Sequence, residues 1–249
     1  MTLIYSVPPI DGLVLTPGLS SFIQPEYVAG VSRVLLDVGK GVAEGGAGVR
    51  EAYRLYNSLV NILRAYGAVG GLAILTVPDA WDLKTHLRLA TQWLRSTERV
   101  GIVKALSGLG FEVLDMLVVR RVVKTMLDPT PDLGPYASIA REFGVQVFGI
   151  PANVDTSIDG VDIKCRYDVV GCVSRARLLA RGLRGLGAVQ VHLMGPPIQV
   201  LKALWGEVDS ADTTGHTYGM VLNGRRINEL TALLRLRQRI LTVNLLTQR

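Results

Sequence analysis

Two cysteines in 249 residues are too few for a disulfide framework. Cys165 and Cys172 stand seven apart, without CxxC spacing or a nearby histidine, so a zinc site is not expected. Both are read as buried thiols in a helix. Long apolar runs are also missing. Mean hydropathy is positive at +0.31, yet no stretch approaches the roughly 18 to 20 residues of a membrane-spanning helix. The best candidate, residues 65–78, is short, contains Gly67, Gly70 and Gly71, and ends in Val77-Pro78, which suits a buried parallel strand. The amino terminus has no basic segment followed by an apolar one, so a secretory signal is not supported. No membrane partner and a cytoplasmic location are the expectations. Asparagine and glutamine are sparse beside arginine and leucine, which fits a heat-adapted source.

What is present is apolar and basic. With 49% hydrophobic and 19% charged residues, the chain can bury a large core, and a single domain over residues 1–249 is expected. A net charge of +6 favours anionic partners.

Short β-rich runs alternate with amphipathic stretches, the pattern of parallel strands covered by helices. The expected fold class is α/β, a (β/α)8 TIM-like barrel with some irregularity allowed. Seven strands can be named: Leu13–Leu15, Arg33–Leu36, Leu72–Val77, Val100–Val103, Val145–Phe148, Val189–Leu193 and Val208–Asp212. The run from Phe111 to Met126 reads as helix or strand, with helix favoured. Helices are expected through Tyr53 to Leu63, Trp81 to Leu94, Tyr136 to Phe143 and Tyr167 to Leu186. A terminal amphipathic helix over 228–246 would cover the barrel, with a homodimer or an additional subunit as the rival.

In a parallel barrel the active site lies at the carboxyl ends of the strands. Aspartates punctuate several of these ends: Asp37, Asp79, and the pair Asp209 and Asp212. Taken singly, each could be a helix cap or turn residue. Gly149-Ile150-Pro151 and Met194-Gly195 close two further strands.

These residues resemble the tRNA-guanine transglycosylase superfamily, which includes the queuine and archaeosine tRNA-ribosyltransferases and the deazaguanine DNA-modifying transglycosylases. Leu36-Asp37-Val38-Gly39 is similar to the family's Asp-Ser-Gly strand end, without the serine. Val77-Pro78-Asp79 is similar to the aspartate that binds the base, and Phe148-Gly149-Ile150-Pro151 to the loop bordering the base pocket. The fullest match is Val191-His192-Leu193-Met194-Gly195, a short helix, then Val208-Asp209-Ser210-Ala211-Asp212. The resemblance implies a barrel that exchanges guanine, or a related base, in tRNA or DNA for a 7-deazaguanine of the preQ0 type. It makes Asp212 the nucleophile, with Asp209 as the alternative, and Asp37 the acid or base. Asp79, Lys104, Gly149, Ile150, Met194 and Gly195 would bind the base or sugar; His216, read from its place in the loop after Asp212 and not from the resemblance, would stack on a base or sugar or else order its loop. Two departures stand out: the family zinc subdomain has no counterpart, and Val103-Lys104-Ala105 stands where the family has Val-Gln-Gly.

The chemistry asks for such residues. Displacing a base needs an ionised carboxylate at C1′ and a second group that moves a proton on the departing base. Neither a metal nor a cofactor is required. Arg175, Arg181, Arg225 and Arg226 are candidate phosphate contacts. His192 is read as a hydrogen-bonded core histidine and His86 as part of a solvated face. Two rival readings remain: a catalytically inactive barrel homologue that binds nucleic acid or a partner, and an unrelated small-molecule barrel enzyme.

Overall fold

The structure, a computed structural model, describes residues 2–7, 9–38, 48–80, 82–119, 132–152, 156–158, 161–163 and 169–213. The terminal helix expected over 228–246, with His216, Arg225 and Arg226, lies outside these residues.

Eight parallel strands close into a barrel: β1 (Leu3–Ser6), β2 (Gly12–Leu15), β3 (Arg33–Leu36), β4 (Gly71–Thr76), β5 (Phe111–Val118), β6 (Val147–Pro151), β9 (Gln190–Met194) and β10 (Ser210–Thr213). Each pairs with its neighbours in chain order, and β10 pairs with β1. This is a (β/α)8-type barrel. A two-stranded antiparallel hairpin, β7 (Thr156–Ile158) and β8 (Val161–Ile163), branches off after β6. The helices are α1 (Pro25–Val28), α2 (Gly48–Ala65), α3 (Leu83–Arg95), α4 (Thr97–Ser107), α5 (Gly134–Phe143), α6 (Val169–Gly185) and α7 (Ile198–Ala203). Among the described residues no helix is long and apolar enough to cross a membrane.

Local sequence explains most elements. Helix α2 buries Ala52, Tyr56, Leu59, Val60 and Leu63, a stripe at spacings of three and four that faces the barrel. Each buried leucine there contributes about 1.5–3 kcal/mol. Asp82 caps α3 by accepting from the Thr85 N–H at 2.8 Å. Ser96 both ends α3 and caps α4, its Oγ accepting from the Arg99 N–H at 3.0 Å.

Three expectations about strands are corrected. Val100–Val103 is not a strand: it lies inside α4, held helical by the Ser96 cap and by Ile102 and Leu106, which are buried one turn apart. The Phe111 run is a strand, not a helix. Asp115 interrupts its apolar pattern but points outward to the Arg99 guanidinium of α4, whose Nε lies 3.0 and 3.1 Å from its two oxygens. The eighth strand is β1. It precedes β2 by only five residues, far fewer than the usual crossover between parallel strands. The turn between them folds back so that the Asp11 N–H meets the Ile4 carbonyl and the Asp11 carboxylate accepts from the Ile4 N–H.

Alternate residues fill the barrel interior, among them Tyr5, Met116, Gly149 and His192. Their chain neighbours, such as Ile4, Leu117, Ile150 and Val191, pack beneath the helices. Gly12 leaves the space that Tyr5 occupies, since a Cβ there would stand 2.6 Å from the Tyr5 ring. His86 is fully buried, with Nε2 2.8 Å from the Val118 carbonyl, so it does not belong to a solvated face. Cys172 is disulfide-bonded rather than a free thiol. The partner cysteine lies outside the described residues.

Candidate active site

Because all eight strands are parallel, their carboxyl ends open on one rim. Asp37 follows β3, Asp79 follows β4 by three residues, and Asp212 lies on β10, so all three belong to that rim. Asp37 and Asp79 occupy adjacent strand ends. Asp212 stands three strands further round, through β1 and β2.

Asp212 is held by two donors. Its Oδ1 accepts from the Gly195 N–H at 2.9 Å and lies 3.1 Å from the Nε2 of His192. Among the described residues no donor meets Oδ2. The side chain is 15% exposed, against 0% for His192. Gly195 turns with φ 54°, a left-handed conformation that glycine adopts without strain, and this brings the end of β9 over Asp212. His192 is also 2.9 Å from the Ser210 Oγ through Nδ1, and Ser210 in turn accepts from the Gln190 side-chain amide at 2.8 Å. The Tyr5 ring meets the imidazole edge-on at 5.9 Å.

Tyr56, on α2, organises the other side of the rim. Its hydroxyl donates to the Thr76 carbonyl at the end of β4. Burial drives its pKa well above the ordinary tyrosine value, and the negative charges of Asp37, Asp115 and Asp79 push the same way, against a hydrogen bond from the Val38 backbone. Asp79 is buried and Asp37 half-buried. Trp93 stacks on the Tyr56 ring at 5.2 Å and fixes it from behind.

The floor is small and soft. A Cβ on Gly149 would stand 2.9 Å from the Met194 sulfur and 3.3 Å from that of Met116, so the absent side chain is what lets two thioethers meet over the strand. The Thr76 Oγ1 is buried without a hydrogen-bond partner among the described residues.

Several expected site residues lie elsewhere. Asp209 precedes β10 at its amino-terminal end and faces outward. It accepts from Arg184 at 2.6 Å and from the Val191 N–H at 2.7 Å. Lys104 is exposed on α4, outside the barrel, because the segment taken for a strand is helical. The Ile150 side chain points away from Gly149 into the layer under the helices, leaving only its backbone at the pocket. Arg181 lies on the flank of α6 between two ion pairs, Arg177 to Glu207 at 2.6 Å and Arg184 to Asp209 at 2.6 Å. The Glu207 carboxyl is held below its ordinary range, first by the Arg177 hydrogen bonds and further by the Arg177 and Arg181 charges, against partial burial. Arg175 is half-buried on a different face of that helix.

His192, Ser210, Gln190 and Tyr5 join the site although the sequence did not single them out for it. Their signal is alternation along β9 and β10, which places residues 190, 192, 210 and 212 on inward faces once the register Ser210 to His192 is known. Among the described residues no group of three or more His, Cys, Asp or Glu side chains is placed to hold a metal ion.

No family model and no curated protein matches this chain. Among solved structures it is similar to the carboxyl transferase domain from Rhizobium etli pyruvate carboxylase. The form with oxamate and biotin aligns with a TM-score of 0.45 at 13% identity, over 89% of this chain and 38% of that one. The form with 3-hydroxypyruvate gives 0.47 at 10% identity, over 91% and 43%. The chain spans about two-fifths of the length of these structures.

Proposed function

We propose that this chain is a base-exchange transglycosylase that replaces guanine, or a related base, in tRNA or DNA by a 7-deazaguanine. One observation carries the reading: among the described residues Asp212 is held on the rim through Oδ1 alone, and Oδ2 is the oxygen assigned to the sugar carbon.

In the first half-reaction Oδ2 of Asp212 attacks C1′. The bond from C1′ to the base nitrogen breaks with its electron pair going to the base, and Asp37 supplies the proton that neutralises it. The product is a glycosyl ester on Asp212. In the second half, the incoming base attacks C1′ and the ester bond returns its pair to Asp212, while Asp37 takes the proton from the attacking nitrogen. Asp79, buried beside Asp37, accepts hydrogen bonds from the base edge. Gly149 and Met194 form the floor on which the ring lies. The polymer is tRNA or DNA, held by phosphate contacts outside the rim.

The inactive-homologue reading draws on one feature. Leu36-Asp37-Val38-Gly39 lacks the serine of the family's Asp-Ser-Gly strand end.

The test is exchange of radiolabelled guanine and 7-deazaguanine into tRNA and duplex DNA, followed by denaturing gels for trapped adducts. Asp212→Asn abolishes both exchange and adduct, because an amide does not form the ester. Asp37→Asn slows exchange and lets adduct accumulate, and Asp79→Asn impairs base selection first. Absence of exchange by the unaltered chain on either polymer, with each base supplied, would favour the inactive homologue.

A further inference from the structure

We infer that Gln190, Ser210 and His192 form a directional hydrogen-bond relay inside the barrel that holds His192 as the neutral Nε2–H tautomer and, through it, aims Asp212. His192 is thus a positioning residue. Its effect on chemistry rests on the transglycosylase reading, but the relay itself does not.

The direction follows from donor and acceptor chemistry. An ionised carboxylate only accepts, so the 3.1 Å contact of Asp212 with His192 requires the proton on Nε2. In a neutral imidazole Nδ1 is then an acceptor, and the group 2.9 Å from it, the Ser210 Oγ, must donate. A hydroxyl has one proton, so Ser210 can only accept from its other neighbour. That neighbour is the Gln190 amide nitrogen at 2.8 Å, which only donates. Every proton points the same way, from Gln190 near the amino-terminal end of the barrel to Asp212 at the rim.

The surroundings hold this order in place. His192 and Ser210 are both fully buried, so water does not substitute for either partner. Tyr5 packs edge-on against the imidazole and limits rotation of the ring. Two donors, His192 and Gly195, converge on the same oxygen of Asp212, which fixes the carboxylate plane and leaves the other oxygen for the mouth. The relay therefore does for Asp212 what an outer partner does for a metal ligand: it sets orientation from behind.

Gln190 gives the decisive variant because it is half-exposed, 20 residues along the chain from Ser210, and touches neither Asp212 nor the rim. Gln190→Glu substitutes an acceptor for the donor. Ser210 then donates to the introduced carboxylate, and Nδ1 must carry a proton to satisfy Ser210. Gln190→Met removes the donor without reversing the order.

The experiment is a two-bond proton–nitrogen spectrum of the full chain labelled with 15N-histidine, with the His192 ring assigned by its loss in His192→Gln. The expected result at neutral pH is Nε2 protonated and Nδ1 bare in the unaltered chain and in Gln190→Met, with Nδ1 protonated in Gln190→Glu. Single-turnover adduct formation by Gln190→Glu should fall about tenfold with KM unchanged. A His192 ring protonated at Nδ1 in the unaltered chain, or the same spectrum in Gln190→Glu, overturns the relay even if exchange proceeds. The expected tautomers in a chain that exchanges no base support the relay and count against the transglycosylase instead.

Discussion

Asp209 and Asp212 stand three residues apart and on opposite sides of the barrel wall. Asp212 accepts from Gly195 and His192 inside the rim, whereas Asp209 accepts from Arg184 and the Val191 N–H outside it. Odd and even positions of an extended chain face opposite ways, which is why the two carboxylates point to opposite sides of the wall. Asp209→Ala should lower stability by about 1–3 kcal/mol, chiefly through the lost bond to the Val191 amide, because the Arg184 pair is largely exposed. Urea unfolding measures the loss. The adduct yield per folded molecule should match the unaltered chain, and a loss of adduct with normal stability would return the nucleophile role to Asp209.

Tyr5 carries a buried hydroxyl with no hydrogen-bond partner among the described residues. Burial pushes its pKa up to about 12, with the Arg33 charge opposing and the Asp11 charge adding. The folded value is therefore raised above the unfolded one of about 10, so the folded state holds this proton more tightly. Stability from Tyr5 is intact below about pH 10 and is lost as pH rises towards about 12, at about 1.4 kcal/mol for each tenfold difference in proton affinity between the two states. Tyr5→Phe should leave stability at neutral pH equal or slightly higher, and should flatten its fall across that alkaline range. Denaturant unfolding of both proteins over the same range checks this. Equal slopes would mean that another group governs alkaline unfolding; Tyr56, whose pKa is also raised, is the first to test.

Gly149 is a test of the floor. The atoms nearest to a methyl group at this position belong to the Met194 and Met116 side chains, with the sulfurs at 2.9 and 3.3 Å, and flexible thioethers can move. Gly149→Ala should therefore fold, at a cost below about 1.5 kcal/mol. The displaced sulfurs occupy the space above the strand, so calorimetric affinity for guanine or 7-deazaguanine should fall about tenfold or more, roughly 1.4 kcal/mol. Unchanged affinity would place the base away from β6.

Strands β2, β3, β4, β6 and β9 were legible because apolar runs ended in glycine, proline or aspartate. Three features were not. β1 was missed because parallel strands ordinarily need a crossover, and its turn closes instead through Asp11 and Ile4. β5 hides a buried-side charge, Asp115, that only the Arg99 pairing makes tolerable. α4 contains Val100-Gly101-Ile102-Val103, which looks strand-like until the Ser96 cap is weighed. The rim aspartates Asp37, Asp79 and Asp212 could be read from strand ends, whereas His192 could only be read as buried. Its contact with Asp212 depends on the register of β9 against β10, and register is a tertiary property.

On the flank of α6, Arg177 and Arg184 are ion-paired, whereas Arg181 has no ion pair among the described residues. Arg177, Arg181 and Arg184 share one helical face, at spacings of four and three. Arg177 is tied to Glu207 and Arg184 to Asp209, each by hydrogen-bonded contacts of 2.6 Å. A paired arginine brings little net charge to a polyanion, so binding to duplex DNA should depend mainly on Arg181 within this face. Each phosphate neutralised contributes about 0.9 to the slope of log affinity against log salt on B-DNA. Arg181→Gln should reduce that slope by about 1, and Arg181→Glu by more. Arg184→Gln should leave the slope unchanged, and its effect should appear instead as a small loss of stability. The measurement is fluorescence anisotropy of a labelled duplex and of tRNA over a salt series. Equal slope changes for Arg181→Gln and Arg184→Gln would mean that the polymer breaks the Asp209 pair on binding. No change for either would move the nucleic-acid contact to another face of the barrel.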